Sequence, residues 1–144
     1  MESHSFLFNK DLQNQYDDEF INFIENHIAS EVSASEIKDQ LTTYFDENGW
    51  IQKFKYSADV ANTISAVRAE VGICTQFGNV ARLFYDVLKL EHCYDAGIIS
   101  SSIIICPLSP SGNRGYLDRL YRELQVYQNV INVPICAIGV KIKE

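Results

Sequence analysis

The sequence predicts an α/β fold: a mixed central sheet flanked by helices, in the order α-α-β-β-α-β-α-β. Three observations lead there. The first 48 residues hold two acid-rich stretches with apolar residues at helical spacing. The C-terminal part reads strand–helix–strand–helix–strand, which implies parallel neighbours joined by crossovers. Two earlier strands have no long helix between them, which implies an antiparallel part. With 144 residues, the chain is read as one domain (1–144), an acidic helical part over 1–48 and a sheet core over 49–144.

Each element has its own signal. Asp17–Ala29 places Phe20, Ile21, Phe23, Ile24 and Ile28 along one helical side, with acids in the first turn, where the helix dipole favours them. Ser33 or Ser35 caps a second helix, Glu36–Asp46, which Asn48-Gly49 ends. Trp50–Tyr56 alternates as a strand and puts Lys53 and Lys55 on one face. Ser57–Ser65 reads as either a short helix or a loop. Val67–Phe77 reads as one strand, stopped by a Gly78-Asn79 turn, and Asn79–Tyr94 as a helix ended by Gly97. Ile98–Cys106 is a β-branched, fully buried strand. Pro107–Gly115 is turn-rich, Tyr116–Gln128 is a helix and Val133–Ile142 a last strand.

Composition narrows the classes. Apolar residues make up 47% of the chain, which argues against disorder. The apolar run Ile98–Leu108 is too short to span a bilayer, and no leader segment is recognisable at the N-terminus, so a cytoplasmic protein without a membrane partner is expected. Cys74, Cys93, Cys106 and Cys136 form no C-x-x-C pair and read as reduced, buried small hydrophobes. His4, His27 and His92 lack metal-ligand spacing. The net charge is −7, but residues 1–48 carry eleven acids and two bases (−9), and residues 49–144 carry eight acids and ten bases (+2). An acidic whole disfavours non-specific nucleic-acid binding and still permits one local basic face. The acidic helices are a candidate protein-partner surface. No glycine-rich phosphate loop is present.

The string Thr75-Gln76-Phe77-Gly78-Asn79-Val80-Ala81-Arg82, then Tyr85-Asp86-Val87-Leu88-Lys89, then Tyr94, Gly97 and an apolar strand ending at Pro107, resembles type II restriction endonucleases of the BglII/BstYI-like group. These belong to the PD-(D/E)XK nuclease superfamily. The resemblance covers residues 49–142. It implies metal-dependent cleavage of double-stranded DNA by a twofold homodimer. It further implies a Glu two residues before a Gln on the strand ahead of the turn, and an Asp about nine residues upstream, together holding Mg²⁺. Carried over residue by residue, Gln76 matches the Gln. The Glu position falls on Cys74, and the Asp position falls near Ser65.

Catalytic candidates are therefore Gln76, Glu70 and Cys74, with Asp59 and Glu70 as the substitute metal pair. If Val67–Phe77 is one strand, Arg68, Glu70, Gly72, Cys74 and Gln76 share a face. Candidates for DNA contact are Asn79, Arg82, Ser109, Asn113 and Arg114, since Asn and Arg pair bidentately with adenine and guanine edges. A plain surface turn explains Ser109–Gly115 equally well. Arg82 and Lys89 share a helix face, and Arg119 and Arg122 lie on the next helix. The expected function is restriction-endonuclease-like DNA binding with impaired catalysis. The alternatives are an active endonuclease that uses Asp59, Glu70 and Mg²⁺, or a non-cutting interaction subunit.

Overall fold

The computed structural model describes residues 3–9, 18–27, 32–108 and 115–142. The elements, in chain order, are β1 (Ser3–Phe8), α1 (Asp18–His27), α2 (Ala34–Glu47), β2 (Ile51–Lys55), β3 (Thr63–Arg68), β4 (Val71–Thr75), α3 (Leu83–Asp95), β5 (Ser101–Leu108), α4 (Gly115–Val126) and β6 (Ile135–Lys141). A single 3₁₀ turn, Val80–Arg82, leads into α3. The six strands form one sheet in the order β1-β6-β5-β4-β3-β2. The β4–β5 and β5–β6 pairs are parallel, and the other three pairs are antiparallel. This is the expected mixed sheet.

The crossovers β4–α3–β5 and β5–α4–β6 step across the sheet in the same direction, so α3 and α4 lie on the same face. There Leu83, Val87, Leu90, Leu117, Leu120 and Leu124 pack against Ile104, Cys106, Ile135 and Ala137. On the other face, Phe20 and Ile24 of α1 and Ile37, Leu41 and Phe45 of α2 cover Ala66, Val71, Ile73, Ile103, Ile105 and Ile138. Each fully buried aliphatic side chain contributes about 1.5–3 kcal/mol. The central strand β5 is buried on both faces, as its run of β-branched residues requires. Ser33 caps α2 by accepting the Glu36 amide at 3.2 Å.

Two features differ from the sequence expectation. The first is β1, an edge strand on β6, in a segment where no element is expected. The second is the stretch Val67–Phe77, which is not one strand. Residues 63–75 form a hairpin whose two turn residues, Ala69 and Glu70, have φ of 48° and 64°. Two consecutive left-handed residues make the turn whose twist matches paired strands. It is hard to read in sequence because neither residue is Gly, Asn or Asp. Glu70 therefore sits at a turn and Arg68 on β3, so neither shares a strand face with Gly72, Cys74 and Gln76; Cys74 and Gln76 do border one cleft. The segment left open between helix and loop contributes Thr63–Ser65 to the start of β3.

Strand alternation also breaks at one level of the β2–β3 pair. Ala66 packs with α1 and α2, whereas Ile64, two residues away, packs on the α3 side. On β2, Gln52 reaches Asp46 of α2 at 2.5 Å, whereas Phe54 packs on the α3 side. Residues two apart on a regular strand share a face. Lys53 stands between Gln52 and Phe54 at φ 49°. Ser65 stands between Ala66 and Ile64 on the partner strand, in the register Gln52↔Ala66 and Phe54↔Ile64.

Candidate functional site at the end of strand β4

The parallel pairing of β4 with β5 continues one residue past the strand, because the Gln76 amide donates to Ile105 O at 2.8 Å. This fixes Gln76 at the C-terminal end of the interior strand β4, just ahead of the Gly78-Asn79 turn. Its side chain is bound at both ends. Nε2 donates to Asp86 Oδ2 at 3.2 Å, and Oε1 accepts the Gly78 amide at 3.1 Å. The turn next to it closes on Asn79, whose Oδ1 accepts the Ala81 amide at 2.9 Å and whose carbonyl accepts from Arg82 N at 3.0 Å.

Asp86 lies on the inward side of α3 and is 6% exposed. Lys89, one helical turn on, brings Nζ to 3.7 Å from Asp86 Oδ1. The same ammonium donates to Thr63 O at 3.2 Å and lies 4.9 Å from the centre of the Tyr85 ring. Burial holds the Asp86 carboxyl above its ordinary range, and Gln76, Lys89 and Arg82 partly offset this. Ser65 Oγ accepts the Thr75 amide at 3.1 Å and meets Thr75 Oγ1 at 3.3 Å. Cys74 is 2% exposed. Burial, with the Asp86 charge adding to it, pushes its thiol well above the normal range, so at neutral pH it is protonated and a poor nucleophile.

These groups line an open cleft of about 380 Å³. Its walls come from α2 (Lys38, Leu41, Thr42, Phe45), β2 (Gln52, Lys53), β3 (Thr63, Ser65), the end of β4 (Cys74, Thr75, Gln76), Arg82 and α3 (Asp86, Lys89). Four cationic residues, Lys38, Lys53, Arg82 and Lys89, line this space with a single acid, Asp86. On a chain of net charge −7, this is a local inversion of sign.

The sequence candidates separate clearly. Gln76, Cys74 and Arg82 line the cleft, and Ser65, where the resemblance expects an Asp, lies beside them. Glu70 occupies the hairpin turn at the far end of β3 and β4 from Gln76. Asp59 is exposed in the loop before β3. The two acids are thus separated by the length of β3, roughly 20 Å for six residues. Asn79 borders the turn, with its side-chain oxygen engaged in capping. Ser109, Asn113 and Arg114 lie outside the described residues. Arg119 pairs with Glu123 at 3.0 Å, and Arg122 is exposed on α4.

Asp86 was not singled out in the sequence. Its signal was present: in the inward stripe Leu83, Val87 and Leu90 of α3 it is one charged residue, with Lys89 three positions on as its partner.

Magnesium takes oxygen ligands, commonly one or two carboxylates with several waters. The donors here are a hydroxyl bonded to Thr75, a protonated thiol, an amide bound at both ends and a carboxylate paired with an ammonium. This set does not fit the ion. Among the described residues, no group of three or more His, Cys, Asp or Glu side chains is placed to hold a metal.

A model of the family described as restriction endonuclease BglII/BglIII matches residues 10–140. Among solved structures, a crystal structure of restriction endonuclease BglII complexed with a DNA 16-mer superposes with a TM-score of 0.74. Identity is 16%, over 100% of this chain and 78% of that chain. No curated protein sequence matches significantly. The family model spans nearly the whole length and the fold agrees with it: the chain belongs to the BglII/BglIII family of restriction endonucleases.

Proposed function

We propose that this protein binds double-stranded DNA at the end of β4 and no longer cuts it by the two-acid, metal-assisted route of restriction endonucleases. The observation that carries the reading is the pair Ser65 and Cys74, a hydroxyl and a buried thiol where that route needs carboxylates. The retained fold, the retained Gln76 and the cationic cleft support DNA as the ligand. The substitute pair, Asp59 and Glu70, lies at opposite ends of β3 and offers no joint site. A twofold homodimer is the assembly the family implies. The exposed acids of α1 and α2, such as Glu25, Glu36, Asp39 and Glu47, do not line the cationic cleft and suit a basic protein partner.

The test is incubation with a random-sequence duplex library and with Mg²⁺ or Mn²⁺, read both as retention of DNA by the immobilised protein and as fragment formation. Retention without fragments is expected. Metal-dependent, sequence-specific fragments would reinstate the active enzyme. Absence of any retained duplex would remove DNA as the ligand.

A further inference from the structure

The would-be catalytic centre is closed on itself, while its rim is open and positive. Asp86 is matched by Lys89, which also donates to Thr63. Gln76 is engaged at both ends, and Ser65 is engaged by Thr75. That leaves the exposed side chains of Lys38, Lys53 and Arg82 around the cleft. Among the described residues, none of the three forms an ion pair. The acids nearest in sequence to Lys38, Glu36 and Asp39, do not line the cleft, and Asp46 beyond its edge is taken by Gln52.

Lys53 adds an independent observation. It is a non-glycine residue held at φ 49° inside a strand. This backbone conformation is unfavourable for a long side chain and persists only where the surroundings impose it. It lets the adjacent residues Gln52 and Lys53 both border the cleft, which a regular strand, with neighbours on opposite faces, does not allow. The break falls opposite Ser65, where the resemblance expects a metal-binding Asp. A hydroxyl at the position where the resemblance expects an anion, and a lysine, therefore sit at the same level of two paired strands.

We propose that Lys53, Arg82 and Lys38 form a phosphodiester clamp that grips the DNA backbone directly and needs no divalent ion. In a nuclease of the two-acid type, a divalent cation supplies positive charge at the scissile phosphate. Here the chain's own ammonium and guanidinium groups supply it at the cleft rim, above a centre where Asp86 is matched by Lys89. This rests on the DNA-binding reading and specifies how that ligand is held.

The experiment is fluorescence anisotropy with a labelled duplex, first in EDTA and then in Mg²⁺ or Ca²⁺ at matched ionic strength. Affinity in EDTA should lie within about twofold of that with metal. A tenfold or greater tightening by metal would overturn the proposal. Lys53→Ala and Arg82→Ala should each flatten the plot of log K against log salt by about one phosphate contact, roughly 0.9 in slope. Lys55→Ala, on the same strand but outside the cleft, should leave the slope unchanged. Equal slopes for Lys53→Ala and Lys55→Ala would also overturn it. Lys53→Gly relieves the backbone conformation, so it should melt no lower than the wild type and still lose the contact, which separates binding from folding. Inorganic pyrophosphate, followed by amide NMR shifts around Gln76 and Arg82 in EDTA, isolates the clamp from the DNA reading. Shifts in the wild type that vanish in the Lys53→Ala/Arg82→Ala protein, without duplex binding, would keep the anion clamp and discard DNA. No response to either ligand would discard both.

Discussion

Gln76 donates its side-chain amide to Asp86 across 3.2 Å and so joins the residue at which the resemblance places the family's Gln to a helical carboxylate. The strand end that in a two-acid nuclease would face a metal instead faces the protein's own α3. Gly78 completes the lock on the other side of the amide.

Removing the buried charge at Asp86 should change how stability varies with pH. Burial raises the Asp86 carboxyl above its ordinary 3.8, so folding favours the protonated form. That contribution is complete below the unfolded value and is lost as pH rises through the folded one. Asp86→Asn removes the titration and keeps a side-chain oxygen for Gln76. In urea unfolding between about pH 3 and pH 7, the stability of the wild type minus that of D86N should fall as pH rises. A difference that is flat or grows with pH contradicts the assignment.

Restoring acids at the family positions should restore metal affinity. Cys74→Glu places a second carboxylate beside Asp86, and uncompensated it should cost roughly 2–4 kcal/mol, as buried charges do. Adding Ser65→Asp supplies the missing partner. The double variant should gain thermal stability on addition of Mg²⁺ or Mn²⁺, since a ligand that binds only the folded state raises its melting temperature. The wild type should show no such shift. An identical metal response in the two proteins would count against the reading of positions 65 and 74.

Glu91 carries a structural charge on α3, away from the cleft. Its Oε1 accepts the Asn132 and Val133 amides, each at 2.8 Å, and Oε2 meets Asn132 Nδ2 at 3.4 Å. These bonds hold the chain where it enters β6. Glu91→Ala leaves two amides without their partner and should cost about 3 kcal/mol or more. Chemical denaturation measures this, and DNA affinity of the folded fraction should be unchanged.

The thiols should be silent in the folded protein. All four cysteines are buried and free. Burial raises Cys93 to about 11 and Cys106 and Cys136 to about 12, with Cys74 also well above normal. A disulfide-exchange reagent at neutral pH should label none before unfolding and all four in denaturant. Rapid native labelling of Cys74 would revive it as a nucleophile.

The sequence was legible where periodicity and burial agreed. Helices α2, α3 and α4 follow from apolar spacing, because one face of each meets the core, and β5 and β6 follow from continuous apolar runs, because both of their faces are buried. The hairpin at Ala69-Glu70 was not legible, since those residues carry no turn chemistry and the apolar alternation runs on through them. The strand β1 was missed because a short edge strand buries little; Phe8 packs inward while Leu7 stays 47% exposed. Within the site, Gln76 could be placed because a turn and a helix fix its register. Asp86 showed only as a charged residue in the apolar stripe of α3, and its bond to Gln76, ten residues earlier, is a tertiary contact that local pattern does not encode. The break at Lys53 and Ser65 depends on which core each neighbour joins, and local pattern does not encode that.

The edge strand β1 has a consequence for how the molecule comes into being. Its register partner is β6, with Ser3 opposite Val140 and Phe8 opposite Ile135. Nearly the whole of the described chain separates these partners, so β1 cannot pair until β6 has been made. A contact closing over so much chain is slow to form. The β1 edge of the sheet is therefore completed late, and until then Phe6 and Phe8 remain available to chaperones or to the same strand of another copy.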